Sequence, residues 1–133
     1  MEILSLLSTG PARARVARIL RDDLPLVVRF TQAAVFLPGP SGPRLLATTE
    51  SDGGPSRLRA ALVATASSPA PRTVSFSADG KRPAGEALVV SLSIGGALVV
   101  YREGGRWSAD EVRHAVATAR FVARALAWSA VFA

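Results

Sequence analysis

Residues Glu86 to Ala127 constrain the fold more than any other stretch. They read EALVVSLSI, then Gly95-Gly96, then ALVVYREGGR, then WSADEVRHAVATARFVARALA. Two apolar runs separated by paired glycines predict a β-hairpin, because glycine supplies the positive φ that a tight two-residue turn demands. In the first run Leu88, Val90, Leu92 and Ile94 alternate with Val89, Ser91 and Ser93. The second run, Leu98 to Tyr101, is nearly continuous, which predicts a central strand covered on both faces. It stops at Gly104-Gly105, and a helical pattern opens at Ser108 and is expected to run over 108–128. Ser108-Ala109-Asp110-Glu111 has the form of a capping box, in which serine and glutamate each satisfy the other's backbone N–H. The acidic pair also suits the positive end of the helix dipole.

Upstream, a 3.6-residue period predicts a helix from Ala12 to about Phe30. Val16, Ile19, Leu20 and Val27 fall on one arc; Arg15, Arg18, Arg21, Asp22 and Arg29 fall on the other. Thr9 can cap it, Pro11 suits its first turn, and Pro25 predicts a break near Asp23-Leu24. Before it, residues 1–10 hold a short apolar segment, Ile3 to Leu7. Ala33–Leu37 and Arg44–Thr49 read as strands around the Pro38–Pro43 loop, with a turn at Asp52-Gly53-Gly54. Pro55–Ala66 carries a helical pattern with Leu58, Leu62 and Val63 apolar. Thr73–Ser77 reads as a strand, and Ala78–Gly85 is the most loop-like segment. The order predicts a single α+β domain over 1–133: an antiparallel sheet of five to six strands with helices packed against it.

The chain has 133 residues, enough to bury a core without disulfides or a metal. It has no cysteine, which removes thiol catalysis and thiolate metal sites, and its one histidine, His114, argues against a histidine-rich metal site. No apolar run approaches the ~20 residues of a membrane span. The N-terminus lacks the basic and apolar regions of a signal peptide, so a cytoplasmic protein without cofactor is expected. The net charge is +6, carried by arginines and the single lysine Lys81. The arginines are scattered, which argues against a nucleic-acid tail, although Arg13, Arg15, Arg18, Arg21 and Arg29 could give the first helix a basic flank.

Four segments resemble the GAF domain family. LRDDLPLVVRFTQAAVFL (Leu20 to Leu37) looks like the family's first helix and strand, and SGPRLLATTESDG (Ser41 to Gly53) is similar to its second strand and turn. SRLRAALVATASSPAPRTVSF (Ser56 to Phe76) looks like the helix before the third strand, and Ala87 to Ala127 is similar to the final hairpin and last helix. The resemblance implies a GAF/PAS-like sheet between helices, a small-ligand pocket on one face and terminal helices that pair in a dimer. A roadblock or profilin-like arrangement is the structural alternative. Three departures narrow what the resemblance carries over. The segment Ala78–Gly85, where the family builds much of its pocket lid, is short. The cysteines of bilin-binding and methionine-sulfoxide reductase members are absent, and so is the Asn-Lys-Phe-Asp-Glu signature of cyclic-nucleotide binders.

Within that frame Arg72, Phe76, Leu92 and Tyr101 are the expected lining of a ligand pocket between the sheet and the segment Arg57 to Glu86. The last helix is apolar on two sides. Val112, Ala115, Val116, Ala119, Val122, Ala123 and Leu126 can cover the sheet. His114, Ala117, Phe121, Arg124, Ala125 and Trp128 lie on the other side as candidate interface residues, which points to a homodimer through the terminal helices or to a protein partner. Adjacent Asp22 and Asp23 diverge on a helix, Glu50 and Asp52 suit a turn, and neither glycine-rich loop has a phosphate-binding pattern. The expectation is a non-catalytic regulatory or sensor domain, free-standing, acting through a small ligand or a protein; the alternative is a ligand-free homodimeric scaffold.

Overall fold

The computed structural model describes residues 10–49, 56–64, 70–78, 80 and 83–132, with 10–11, 56, 64 and 128–132 described as backbone only. The described chain opens with helix α1 (Gly10–Arg18), which passes into a π turn (Ile19–Asp23) and a 3-10 turn (Leu24–Leu26). Strands β1 (Gln32–Leu37) and β2 (Arg44–Thr48) follow, then helix α2 (Ser56–Ala64) and strand β3 (Arg72–Phe76). Strands β4 (Gly85–Ser91) and β5 (Ala97–Glu103) form the late hairpin, and helix α3 (Ala109–Phe132) completes the described chain. The strands make one antiparallel five-stranded sheet of order β2-β1-β5-β4-β3, so the α+β expectation holds and β5 is central as its continuous apolar run requires. The Ile3–Leu7 segment, Thr9, Glu50, Asp52 and Lys81 lie outside the described residues.

Strand alternation divides the core in two. On one face Ala33, Val35, Leu88, Val90, Leu98 and Val100 pack against Val16, Leu20 and Leu24 and against Ala115, Ala119, Val122 and Leu126 of α3. On the other, Ala34, Phe36, Ala87, Val89, Val99 and Tyr101 pack under Leu58, Ala61 and Leu62 of α2. A helix pair therefore covers one face and a single short helix the other. Each large side chain so buried stabilises the fold by roughly 1.5–3 kcal/mol.

Three local readings are corrected. First, the buried row of the first helix is Ala12, Val16, Leu20, Leu24 and Val28, a strict step of four, whereas Val27 is 42% exposed. In a pure α-helix such a row drifts round the axis, because the turn holds 3.6 residues. Pro25 has no N–H to give the carbonyl four residues back. The backbone widens there, with Leu24 N–H reaching Ile19 O, and a π turn rotates less per residue, which brings the row back over the sheet. Second, Val63 of α2 is exposed, because Leu58, Ala61 and Leu62 already form the inward stripe. Third, the hairpin turn is longer than two residues. Gly95 N–H donates to Leu92 O at 3.0 Å, and Leu92 N–H to Gly96 O at 3.0 Å. Both glycines keep the expected positive φ, and at Gly96 a Cβ would lie 2.1 Å from Phe36 O of the neighbouring strand.

The capping box forms as the sequence predicts: Glu111 N–H donates to Ser108 Oγ, and Ser108 N–H to Glu111 Oε1, both at 3.1 Å. The helix itself runs beyond Trp128 to Phe132. Glu111 also pairs with Arg102 from the end of β5. Arg102 donates to Arg29 O at 2.9 Å and Arg106 O at 3.1 Å, and lies 4.2 Å from the ring centre of Trp107. One arginine thus joins the central strand, the exit of the first helix and the start of the last. Burial works to raise the Glu111 carboxyl, but hydrogen bonds from Arg102 and Ser108 and the Arg102 charge outweigh it and hold it below the ordinary value of 4.5.

Two outcomes follow. Gly96→Ala should cost about 3 kcal/mol in a denaturant melt, combining αL strain with a backbone clash. Gly104→Ala (φ +67, no atom within 4 Å of the new Cβ) should cost only about 1 kcal/mol. Because the folded Glu111 carboxyl titrates below its unfolded counterpart, its contribution is full above the ordinary value and fades as pH falls through the folded one. Glu111→Gln should therefore lose about 1–2 kcal/mol at pH 7, and the gap to wild type should close in melts carried below the ordinary carboxylate range.

Candidate functional site

Two surfaces bring together candidate site residues of the described chain. The first is the sheet face under α2. On this helix Arg57 and Arg59 flank Leu58, so both sides of the buried stripe carry a guanidinium. Arg57 lies 5.4 Å from the Phe76 ring centre and 5.5 Å from that of Tyr101, and those two rings meet edge-on at 6.0 Å. Its nitrogens donate to Pro83 O at 2.8 Å, to Ser77 O at 3.1 Å and to the Tyr101 hydroxyl. Arg59 mirrors it: the guanidinium lies 5.2 Å from the Phe36 ring centre and donates to Pro43 O at 2.7 Å. Cation–π attraction and carbonyl hydrogen bonds thus strap α2 to the loop on each side. Gly85 completes the arrangement, since a Cβ there would lie 2.3 Å from the Tyr101 hydroxyl oxygen.

Phe76 and Tyr101 are therefore brought together as expected, and Arg72 shares their face by strand alternation. Leu92 is not. It lies on the opposite face, in a recess of about 440 Å³ with Pro71, Val116 and Arg120. The place between Phe76 and Tyr101 is filled by Arg57. The open space on this face lies farther along, a groove of about 400 Å³ between Pro38, Pro43, Leu62, Val63, Val89 and Ala97. Sequence reading passed over Arg57 and Arg59. The signal for them was their placement on either side of Leu58 on the helical wheel.

The second surface is the seam between α1 and α3. A groove of about 400 Å³ runs there, lined by Arg15, Arg18, Ile19, Asp23, Phe121, Arg124 and Ala125. Ile19 is buried beneath it, whereas Phe121 is 51% exposed. Of the candidate interface residues, Phe121, Arg124 and Ala125 share this groove. His114 and Ala117 are exposed on α3 outside its lining, and the Trp128 side chain lies outside the described residues. The sheet-facing residues of α3 pack as predicted, with Val112 and Val116 half-buried at the margin. Among the described residues no helix is long and apolar enough to cross a membrane, and no cluster of histidine and carboxylate side chains could hold a metal ion.

No family model matches the sequence, and no curated relative matches it. Solved structures do. The GAF domain/HD domain protein from Geobacter sulfurreducens superposes with a TM-score of 0.67 at 14% identity, over 99% of this chain and 100% of that one. The GAF domain of a two-component sensor histidine kinase from Bacillus halodurans gives 0.66 at 14% identity, over 90% and 96%. The chain has the GAF fold. A domain from a protein assigned as a two-component sensor histidine kinase in Sinorhizobium meliloti 1021 gives 0.64 at 17% identity, over 86% and 91%. In this instance of the GAF fold, Arg57 of α2 occupies the sheet surface beside the β3–β4 connection and Arg59 that beside the β1–β2 loop.

Arg57→Ala should raise hydrogen exchange of the amides of Ser77, Ala78, Gly80 and Ala84 at least about tenfold, for a global cost of about 1–2 kcal/mol. Tyr101→Phe, which removes only the hydroxyl, should cost less than Arg57→Ala and affect the same segment.

Proposed function

We propose that this chain is a non-catalytic regulatory domain that acts by docking a protein segment in the seam between its terminal helices. The observation that carries this reading is the half-exposed Phe121 above buried Ile19, in a groove with Ala125. A large aromatic side chain left half in water beside a preformed apolar recess is the anchor pattern of protein interfaces. The fold supports a regulatory role, since two of the similar structures come from proteins described as sensor histidine kinases. The absence of cysteine and the placement of the one histidine, exposed on α3, favour binding over catalysis.

A second reading has its own observation. The groove beside Phe36, Leu62, Val89 and Ala97 is apolar and on the sheet face that α2 only partly covers. It would take a small apolar metabolite, making the domain a sensor. Phe121 stands half-exposed in the seam, whereas on the other face Arg57 covers Phe76 and Tyr101, and on that ground we put protein docking first.

A panel of synthetic amphipathic helices of varied charge, screened by fluorescence anisotropy, tests the first reading. Some members should bind, and Phe121→Ala should weaken them at least about tenfold. Binding that Phe121→Ala leaves unchanged would remove the seam from consideration. A thermal shift of several degrees with a small apolar compound, abolished by Leu62→Trp and untouched by Phe121→Ala, would instead establish the second reading.

A further inference from the structure

Among the described residues the seam carries an excess of positive charge that no ion pair neutralises. Arg15 and Arg18 stand on the α1 wall and Arg124 on the α3 wall, with Asp23 the only acidic residue in the lining. The ion pairs among the described residues lie elsewhere: Arg21 with Asp22 at 3.2 Å, Arg102 with Glu111, and Arg113 with Asp110. Arg15, Arg18 and Arg124 take part in none of them. All three are exposed, so their charge is directed at solvent above an apolar floor of Ile19, Phe121 and Ala125.

We infer that the occupant of this seam is an acidic amphipathic helix, with an apolar stripe on Phe121 and carboxylates facing Arg15, Arg18 and Arg124. The inference rests on the docking reading above and names the partner's chemistry. Three physical arguments select this occupant. A second copy of the chain in a two-fold contact would set a patch with three arginines and one aspartate, net positive, against its own image. Like charges across an interface are strongly unfavourable. A nucleic-acid backbone would match the arginines but would leave the apolar floor without a partner. An anionic membrane would take up the half-exposed Phe121 but leave Ile19 and Ala125, recessed between two helices, without a partner. An acidic helix satisfies both features: its i, i+3, i+4, i+7 stripe fills the recess, and its flanking carboxylates meet guanidinium groups on both walls.

The test uses the full chain and two labelled synthetic helices with identical leucine stripes, one flanked by glutamate and the other by lysine, followed by fluorescence anisotropy. The acidic peptide should bind at least about tenfold tighter than its basic twin, and the preference should shrink as salt is raised from about 0.05 M to about 0.5 M. Arg18→Glu with Arg124→Glu should reverse the preference. Phe121→Ala should weaken the acidic peptide about tenfold, while Phe121→Leu should largely retain it. Thermal melts verify that each variant, all altered at exposed positions, is folded. Phe121-dependent binding without charge preference, or in favour of the basic peptide, would overturn this inference and leave the docking reading standing. No binding by any peptide, with Phe121→Ala indistinguishable from wild type, would overturn both. Concentration-dependent self-association abolished by Phe121→Ala would assign the seam to a second copy. Tighter Phe121- and Arg124-dependent binding to duplex DNA or phosphatidylserine vesicles would assign it to those surfaces instead.

Discussion

The central strand of this domain has no solvent-facing side. Leu98 and Val100 of β5 point into one core and Ala97, Val99 and Tyr101 into the other, and β4 repeats the pattern with Leu88 and Val90 against Ala87 and Val89. Such a hairpin is stable only when both its surfaces are removed from water, so the rest of the architecture follows from covering it twice. The larger cover is the α1–α3 pair; the smaller is the single helix α2. The unequal covers explain why the accessible recesses occur where they do. Two helices meeting over a sheet leave a seam between them, and one short helix leaves part of its face open.

Arginine does much of the fastening. Arg57 and Arg59 secure α2 by lying against rings of the sheet and donating to loop carbonyls, with no carboxylate among the contacts that define these straps. Arg102 does the same at the other end of β5, with Trp107 as its ring and Glu111 as an added acidic partner. A planar cation with several donors suits this task, because it can stack and donate at once. Arg15 and Arg18 of α1 and Arg124 of α3 stand over the seam without such uses, so the arginines divide into a structural part and a surface part.

The framework was legible because its signals are local. Alternation in β4, the unbroken apolar run of β5 and the Ser108–Glu111 capping box each depend on neighbouring residues alone, and each appears as read. What was misread depends on distant partners. An ideal helical period extended through Pro25 puts Val27 on the buried arc, but the backbone winds more loosely over Ile19–Asp23 and more tightly over Leu24–Leu26. The hairpin turn was drawn too short because the need for Gly96 comes from the carbonyl of Phe36, a neighbour in space. Leu92 was grouped with Phe76 and Tyr101 by its position in the chain, but alternation sends it to the other face. The seam was half visible: Phe121, Arg124 and Ala125 were named from α3, while Arg15, Arg18, Ile19 and Asp23 entered only when α1 was laid beside it.

The strand order has a consequence for how the domain is made. β1 has β5 as one of its two neighbours, so residues near position 34 wait for a partner about sixty to seventy residues later in the chain. Closing so long a loop before any contact rewards it slows folding. During synthesis β1 and β2 can pair early, yet the middle of the sheet stays open until the last hairpin has left the ribosome. Through that interval the apolar surfaces of the first helix and β1 have only β2 to rest on. A substitution that slows the late hairpin prolongs that exposure and should appear first as lost yield during expression.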